Sequence, residues 1–497
     1  MSDFAGRLSA VPSRHHDPTN TTDDESYDRQ LRGLIAYLKQ PGLVSSTADL
    51  SDYLKAIDPS VYSLSFLFLL QFQIQHLQKK TKRDIPEDLL PGGELWEHSV
   101  NFLRSFDPIQ IRYAGCEWRQ LVELVATAAR IISKPALAVK LIRDALERLN
   151  PSGTFTSLHL TLVKLALLSS SYTCALLIVD KLIFSFPTDL DHVHLETFAC
   201  SAHESSTTLV PETSGFSTKL TYRDHLQFFL YSGMIYMALK KWDQASHCLS
   251  AVMSSPTVSS VSKIMVEAYK KWILANLLGC GKLPPTSKII APHVTRVYQS
   301  LARPYLSLAE AFEKGDLQKM SAEIQLGQSI WRADKNTGLV FQIFEAHGKC
   351  TIIKLGRTFS ALTMADVLQR SSSCARDQPE YEEFVASLVM SDRLSATLSH
   401  LPGTQSTTML RFSPSAQCQA FREEQIRIRL MRGSSALNTI AQGIAQTDHS
   451  LELSHENLHF VGKTQKWNGN PEKPGAAGLD EAGVGGNMDE DLMGDTH

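Results

Sequence analysis

Two histidines near the middle of the chain have the residue type and spacing of a metal site. His192 and His194 are separated by one residue, and Asp191 and Glu196 flank the pair. Imidazole and carboxylate groups are common ligands of catalytic zinc, which lowers the pKa of a bound water until it becomes a nucleophile at neutral pH. The chemistry that this pattern suggests is metal-assisted hydrolysis, to be weighed against histidines that simply lie on the surface.

The surrounding spacing argues against a hydrolytic site. A His-x-His pair also occurs in the MPN-type metalloproteases, where a serine follows the second histidine by eight residues and a metal-binding aspartate follows it by eleven. Ala202 and Ser205 stand at those two positions here. An open zinc site needs three protein ligands and a general base, and only the two histidines are convincing ligands. We therefore predict that His192 and His194 are surface residues and that the chain holds no metal.

Two other motifs that could support catalysis are incomplete. The pair Gly348–Lys349 lacks the glycine that a phosphate-binding loop needs five residues before Gly348, where Ile343 stands. The segment Thr213–Gly215 lacks the first glycine of a nucleophile elbow, where Glu212 stands. The sequence predicts no catalytic residue, no cofactor site and no enzyme activity.

Composition and charge narrow the class of protein further. The chain has 497 residues, 43% of them hydrophobic, which is enough material for about two to four domains. Its net charge of −3 provides no overall positive field for nucleic acid or anionic lipid. The eight cysteines form no Cys-x-x-Cys pair, and the N-terminus has no secretory signal. We expect an intracellular protein with reduced thiols and no membrane span.

Both ends of the chain have the composition of disordered segments. Residues 1–26 are rich in Ser, Thr, Asp, His and Pro, and residues 464–497 combine Pro and Gly with an acidic end. Few large apolar side chains are present there to offset the entropy cost of ordering. We predict a disordered arm at the N-terminus and a disordered Gly-rich acidic tail.

Between the two ends, apolar residues recur mainly at spacings of three and four, which predicts a mainly α protein. The clearest unit runs from His225 to Pro256 and has the offsets of a tetratricopeptide-like helix pair. The residues predicted to pack this pair are Phe229, Gly233, Tyr236, Ala245, Leu249 and Val252. Gly233 would let the helices approach closely, Tyr236 would fill the gap beside it, and Ala245 is the small residue that the partner helix requires.

The same pattern of small and apolar residues recurs at residues 175–187, and a weaker copy of it occurs at residues 138–151. A degenerate repeat of this kind predicts a helical-repeat solenoid, because each helix pair buries its apolar face against the next. We assign residues 27–337 to this helical-repeat domain. A polar stretch rich in Ser and Thr interrupts it, and we interpret that stretch as an inserted loop at residues 187–222.

After residue 338 the pattern changes to the order of a winged helix. A long buried helix is predicted from the apolar residues Val340, Phe341, Phe344, Ile352, Ile353 and Leu355. Thr363 is placed to cap a short helix, Met364–Arg370, and a second helix covers about Pro379–Val389. Alternating residues on either side of Pro402–Gly403 then predict a hairpin. This winged-helix part occupies residues 338–415.

A winged helix can bind DNA through its second helix, so that function has to be considered. Such a helix should present Arg and Lys to the phosphates and base edges. This one presents Glu380, Glu382 and Glu383 instead, with Arg393 only near its end. Acidic side chains have the wrong sign for a DNA duplex, so we favour a packing or protein-interaction role.

One more helix is predicted over Phe421–Ile444, within a C-terminal helical segment of residues 416–463. Its apolar positions have the spacing of a bundle seam: Ile426, Leu430, Leu437, Ile440 and Ile444. Gly433 and Gly443 each weaken the helix by about 1 kcal/mol relative to Ala. We therefore predict an assembly helix that is stabilised by helices of partner chains.

A helical-repeat solenoid that runs directly into a winged helix resembles the PCI family, whose members occur in the COP9 signalosome, the proteasome lid and translation initiation factor 3. Four stretches are similar in order and spacing to the signalosome members of that family: Tyr231–Tyr236, Ile264–Ile273, Asn336–Val340 and Leu362–Met364. The resemblance is good from about residue 222 to 415 and thin before about 115.

This resemblance implies a non-catalytic scaffold subunit of the complex that removes NEDD8 from cullins in cullin-RING ubiquitin ligases, with the zinc chemistry in a separate MPN-type subunit. It implies other signalosome subunits as partners, with subunits 1 and 8 in direct contact, and a location in the cytoplasm and nucleus. Neither nucleic acid nor a membrane is expected as a partner. A PCI scaffold subunit of the proteasome lid and a winged-helix DNA-binding regulator stay open as alternatives.

Overall fold

The computed structural model describes residues 6–14, 23–40, 48–149, 153–181, 183, 185–187, 198–200, 210–256, 261–370, 378–390, 394–400, 408–412, 416–452 and 459. The chain divides into two compact units, Met1–Ala436 and Leu437–His497. The boundary between the units falls within the last long helix.

Helices make up most of the described chain, as the apolar periodicity predicts. The first nine are α1 Asp24–Leu38, α2 Ala48–Ala56, α3 Ser63–Thr81, α4 Glu94–Ser105, α5 Pro108–Ile111, α6 Gly115–Ile131, α7 Pro135–Leu149, α8 Ser157–Leu168 and α9 Tyr172–Val179. The next seven are α10 Tyr222–Ala238, α11 Trp242–Met253, α12 Lys263–Cys280, α13 Pro292–Leu301, α14 Arg303–Lys314, α15 Leu317–Leu326 and α16 Gln328–Ala333. The last four are α17 Thr337–Leu355, α18 Met364–Arg370, α19 Gln378–Met390 and α20 Ala416–Glu452.

The same turn recurs between successive helices of the solenoid. The left-handed residue of each turn is Ser133 (φ 58°), Ser170 (φ 55°), Lys240 (φ 57°) or Lys335 (φ 57°). In each case the next backbone N–H donates to a carbonyl five residues back: Lys134 to Ala129, Ser171 to Ala166, Lys241 to Tyr236 and Asn336 to Trp331, at 2.9 to 3.0 Å. This is the hydrogen bond that closes a Schellman motif, and it satisfies a carbonyl that the helix end would otherwise leave unpaired.

The buried apolar residues of the described part form three clusters. One joins the helices from α1 to α9 and includes Phe102 and Trp118, both fully buried. A second joins α10 to α17 around Tyr269 and Tyr305, and a third fills the winged-helix part. The chain is thus a helical-repeat solenoid followed by a winged helix.

A three-stranded antiparallel sheet completes the winged helix. Strands β1 Ala361–Thr363, β2 Ala396–His400 and β3 Thr408–Phe412 lie in the order β1-β3-β2. Leu410 of the central strand pairs with Leu362 on one side and with Leu398 on the other. Its side chain is fully buried and faces the core that α18 and α19 cover. The predicted turn Pro402–Gly403 lies outside the described residues.

The cap predicted for α18 is present. The hydroxyl of Thr363 accepts from the backbone N–H of Asp366 at 3.2 Å and donates to the Asp366 carboxylate at 2.6 Å. A side-chain acceptor at this position satisfies one of the unpaired donors in the first helical turn. The short helix therefore starts directly from the end of β1.

The prediction of a long buried helix after residue 338 was wrong for two of its apolar residues. α17 spans Thr337–Leu355, but Phe341 is 62% exposed and Phe344 is 39% exposed. The buried side of this helix carries Val340, Ile343 and Ile352 instead. Helical residues three and four apart share a face, so the two phenylalanines lie on a side that the solenoid does not cover.

The disordered arm predicted for residues 1–26 was also wrong in part, because residues 6–14 pack against the solenoid. Leu8 is fully buried and Val11 is 6% exposed. The hydroxyl of Ser65 donates to the Leu8 carbonyl at 2.8 Å, and the hydroxyl of Ser13 donates to the Asp107 carboxylate at 2.6 Å. Two apolar anchors and two buried hydrogen bonds offset the ordering cost that the polar composition suggested would prevail.

The end of the inserted loop packs as well. Phe216 is almost fully buried, and its ring lies edge-on to Trp118 of α6 with the ring centroids 5.7 Å apart. A Cβ at Gly115, the first residue of α6, would collide with the carbonyl oxygen of Ser214. Close packing at this helix start therefore requires glycine.

Candidate assembly surfaces

The residues predicted to pack the repeat pair meet where α10 crosses α11. A Cβ at Gly233 would lie 3.0 Å from Cγ and Cδ2 of Leu249 and 3.6 Å from the carbonyl oxygen of Ala245. Ala245 is fully buried, and Phe229 is half-buried against the same core. Contacts this short leave no room for a larger side chain, because protein cores are close-packed.

Tyr236 connects this helix pair to the preceding one. Its ring is 4% exposed, and its hydroxyl donates to the Asp180 carboxylate, directly after α9, at 2.6 Å. The Lys241 ammonium lies 5.9 Å from the ring centroid. Burial, together with the hydrogen bond to Asp180, raises the pKa of Tyr236 above its ordinary value, so the hydroxyl stays protonated and donates.

A buried polar network joins the end of the solenoid to the start of α17. Lys271 donates to the Asn336 side-chain oxygen at 2.7 Å and to Glu267 at 2.6 Å. Asn336 in turn donates to the Tyr305 hydroxyl at 2.9 Å. Asn336 is fully buried and Lys271 is 6% exposed, so these groups depend on one another and not on water.

A second ammonium extends the network on the same turn of α12. Lys270 donates to the Asp334 carboxylate at 2.7 Å, and the Tyr305 hydroxyl donates to the same oxygen at 2.7 Å. Burial raises the pKa of Tyr305, so that this hydroxyl also stays protonated. The network fixes the turn 334–336, from which α17 enters the winged helix.

The sequence alone does not predict this network, although two stretches that carry the family resemblance, Ile264–Ile273 and Asn336–Val340, contribute to it. The structure brings Lys271 and Asn336 together across 65 residues of chain. The available signal was the pair Lys270–Lys271 in a helix whose other residues are mostly apolar, because buried lysines require partners.

The assembly helix predicted over Phe421–Ile444 is longer at both ends, since α20 spans Ala416–Glu452. In the first unit, Ile426 is 53% exposed and Leu430 is 68% exposed. In the second unit, Leu437, Ile440 and Ile444 are 67%, 38% and 56% exposed. Each group has spacings of three or four and so forms an apolar face. Within the described residues these faces remain open to solvent.

The exposed side of α19, the second helix of the winged-helix part, carries acidic residues. Tyr381, Val385 and Leu388 of α19 face the core, and Glu382 and Glu383 lie on the more exposed side. The sequence of α19 contains no Arg or Lys. Over Gln378–Met390, the helix that would enter a DNA groove therefore offers no cation to a phosphate.

His192 and His194, which the sequence predicts to be surface residues and not metal ligands, lie outside the described residues. Among the residues that the structure describes, no group of three or more His, Cys, Asp or Glu side chains could hold a metal ion. Gly348 and Lys349 lie inside α17 and form no phosphate-binding loop. The Ser214 hydroxyl donates to the Pro211 carbonyl at 2.6 Å within a short 3-10 helix, Glu212–Ser214.

One buried histidine has a structural role. His159 is 5% exposed in the first turn of α8, and its Nδ1 atom accepts from the backbone N–H of Thr156 at 3.1 Å. Burial, with a smaller effect of the Lys181 charge, lowers the pKa of His159 to about 4. The neutral ring thus completes a capping box at the start of the helix.

No helix within the described ranges combines the length and the apolar character that a bilayer span requires.

Comparison with known proteins gives one consistent result. A family model described as COP9 signalosome complex subunit 3, N-terminal helical repeats, matches residues 28–294 of this chain. The protein of that name from Emericella nidulans is 63% identical over 495 residues, which cover 100% of both chains. Those from Neurospora crassa and Dictyostelium discoideum are 25% and 26% identical, over 93% and 86% of this chain and 91% of each relative.

Proposed function

This chain belongs to the COP9 signalosome subunit 3 family, and from that premise we propose that it is a non-catalytic scaffold subunit of the signalosome. In that role it supports the removal of NEDD8 from cullins in cullin-RING ubiquitin ligases. The full-length identity of 63% to the Emericella nidulans protein carries this proposal, because it includes the repeats, the winged helix and the C-terminal helix alike. The relatives named above are all signalosome subunits, so a proteasome-lid scaffold is not favoured.

The absence of catalysis is part of the proposal. The His-x-His motif lacks the serine and the aspartate of the MPN-type proteases, since Ala202 and Ser205 stand at those positions. With a neddylated cullin and added zinc, the purified chain is expected to release no NEDD8. Release that disappears in the His194→Ala variant would overturn the scaffold assignment.

The proposed partners are other signalosome subunits, with subunits 1 and 8 in direct contact. The open apolar faces of α20 support a role in assembly, because a helix with a solvated apolar stripe gains most by packing against another helix. The acidic surface of α19 supports the proposal that nucleic acid is not a partner. We also propose that no membrane is bound and that the protein is located in the cytoplasm and nucleus.

Purification of the tagged full-length chain from native extract tests the proposal. We expect the other signalosome subunits in stoichiometric amounts, and the same chain should bind recombinant subunits 1 and 8 when these are added alone. Recovery of proteasome-lid subunits would instead support the paralogous scaffold. Recovery of the chain alone, with sequence-selective DNA binding at physiological salt, would support the winged-helix regulator.

A further inference from the structure

A strongly basic tip projects from the end of α3. Lys79, Lys80, Lys82 and Arg83 place four cations within five residues, and all four are exposed. α3 ends at Thr81, and Lys82 adopts the left-handed conformation that turns the chain away from the helix (φ 52°). We name Lys79–Arg83 the basic tip.

Helix electrostatics account for only part of this charge. Cations in the last helical turn interact favourably with the helix dipole, which explains Lys79 and Lys80. Lys82 and Arg83 lie beyond the helix, where that interaction fades. Arg83 pairs with Glu87 at 2.5 Å, whereas none of the three lysines has a carboxylate within 4.0 Å among the described residues. The whole chain has a net charge of −3, so the positive charge of the basic tip is a local concentration and not part of an overall positive charge.

The tip is only lightly attached to the core. The last fully buried residue of α3 is Ile74, and the following turn is held by Leu77, which is only partly buried. Besides the pair of Arg83 with Glu87, two exposed hydrogen bonds order the tip: the Thr81 hydroxyl donates to the Leu77 carbonyl at 2.7 Å, and Gln78 donates to the Asp84 carbonyl at 2.6 Å. The segment can therefore extend without removing a core side chain from its place.

We propose that the basic tip is a nuclear import signal, recognised by a carrier protein that has an acidic groove. A short run of lysines and arginines with this spacing is typical of such signals, because each cation can be received separately by carboxylates and by aromatic ring faces. The tip suits a protein groove better than a nucleic acid, since Asp84, Glu87 and Asp88 follow it at once and interrupt any longer basic stripe. The inference rests on the nuclear location included in the proposed function, and not on the scaffold role.

The test measures binding of the full-length chain to recombinant importin α without its autoinhibitory segment, at physiological salt. The tip variant carries Lys79→Gln, Lys80→Gln and Lys82→Gln. The control variant carries Lys134→Gln, Lys240→Gln and Lys335→Gln, which removes three exposed charges from three other turns. We expect the wild type and the control to bind with equal affinity and the tip variant to bind at least tenfold more weakly. The thermal unfolding temperatures should agree.

Three results would overturn the inference: no binding of the wild type to the carrier, equal binding of all three proteins, or a tip variant that loses only its binding to a DNA duplex. The last result would make the tip a nucleic-acid contact. A separate assay distinguishes failure here from failure of the scaffold role, because the tip variant should still co-purify with the other signalosome subunits. In cells that lack the native protein, the tip variant fused to a fluorescent protein should show a lower nuclear fraction than the control variant.

Discussion

The junction between the solenoid and α17 differs from α20 in where the side chains find their contacts. At the junction, Lys271, Asn336 and Tyr305 satisfy one another inside the chain. Along α20, apolar side chains such as Leu430 and Leu437 remain more than half exposed. The first region has its stabilising contacts within one polypeptide, whereas the second leaves apolar area uncovered. We infer that the junction maintains the shape of the subunit and that α20 serves assembly.

The largest effect should come from charges on the apolar face of α20. The double variant Leu437→Glu with Ile440→Glu should reduce retention in the complex by at least about 100-fold, equivalent to about 2.7 kcal/mol, because burying two carboxylates at a helix interface is costly. Unfolding of the isolated chain should change little, since both side chains are exposed in the first place. Co-purification and thermal unfolding measure the two halves of this prediction.

A matched control carries the same charge on another side of the helix. Asn438 and Gln442 are exposed, and helical spacing places them away from Leu437 and Ile440. Asn438→Glu with Gln442→Glu should therefore assemble normally. A destabilised isolated chain that still assembles would reverse the comparison and place α20 in the chain's own core.

Breaking the junction should have the opposite signature. Lys271→Met removes the donor to Asn336 and Glu267, leaving a fully buried amide oxygen unpaired. We expect the isolated chain to lose about 3 kcal/mol of stability, measured as a shift in the urea unfolding midpoint. Lys263→Met at the exposed start of the same helix should leave the midpoint almost unchanged. An equal shift in both variants would mean that the network contributes no specific stability.

The glycine of the repeat pair should give a smaller loss. Gly233→Leu forces extra volume against Leu249 and Ala245, and overpacking of this kind costs about 2 kcal/mol. Gly433→Leu is the control, because nothing lies within 4 Å of a Cβ at that position of α20. Its stability should be unchanged or slightly higher, since leucine favours helix more than glycine does. A normal melting temperature for Gly233→Leu would contradict the assignment of Gly233 to the contact between the two helices of the repeat.

The smallest effect concerns pH. The pKa of His159 is about 4 in the folded chain and 6.5 when unperturbed, so above pH 6.5 the ring is neutral in both states and adds no pH dependence. Below pH 6.5 the unfolded chain binds a proton that the folded chain does not, and stability falls by up to about 1.4 kcal/mol per pH unit until about pH 4. His159→Gln should lose this part of the fall between pH 7.5 and 5.5, whereas His76→Gln, at an exposed site, should keep it.

The features that the sequence predicts well are local ones. Gly233 and Ala245 are two small residues that face each other within a regular pattern of apolar residues. Such a pair signals two closely packed helices without knowledge of the rest of the fold. The cap at Thr363 is local in the same way. The partner of Lys271 is not, because nothing near this lysine in the sequence indicates an asparagine 65 residues away. Phe341 shows the converse limit, since apolar character alone does not tell which faces of a helix the neighbouring helices cover.

The recurrent left-handed turn has a consequence for how this architecture can vary. The turns after α6, α8, α10 and α16 occupy residues 132–134, 169–171, 239–241 and 334–336, so each has the same length. The connections that follow the second helix of a pair are uneven: residues 150–156 after α7, 180–221 after α9 and 254–262 after α11. A turn closed by a fixed hydrogen bond cannot absorb an extra residue, whereas a connection between pairs can. Lineages of this architecture should therefore gain and lose segments between helix pairs, and those positions are where an engineered reporter peptide would be tolerated.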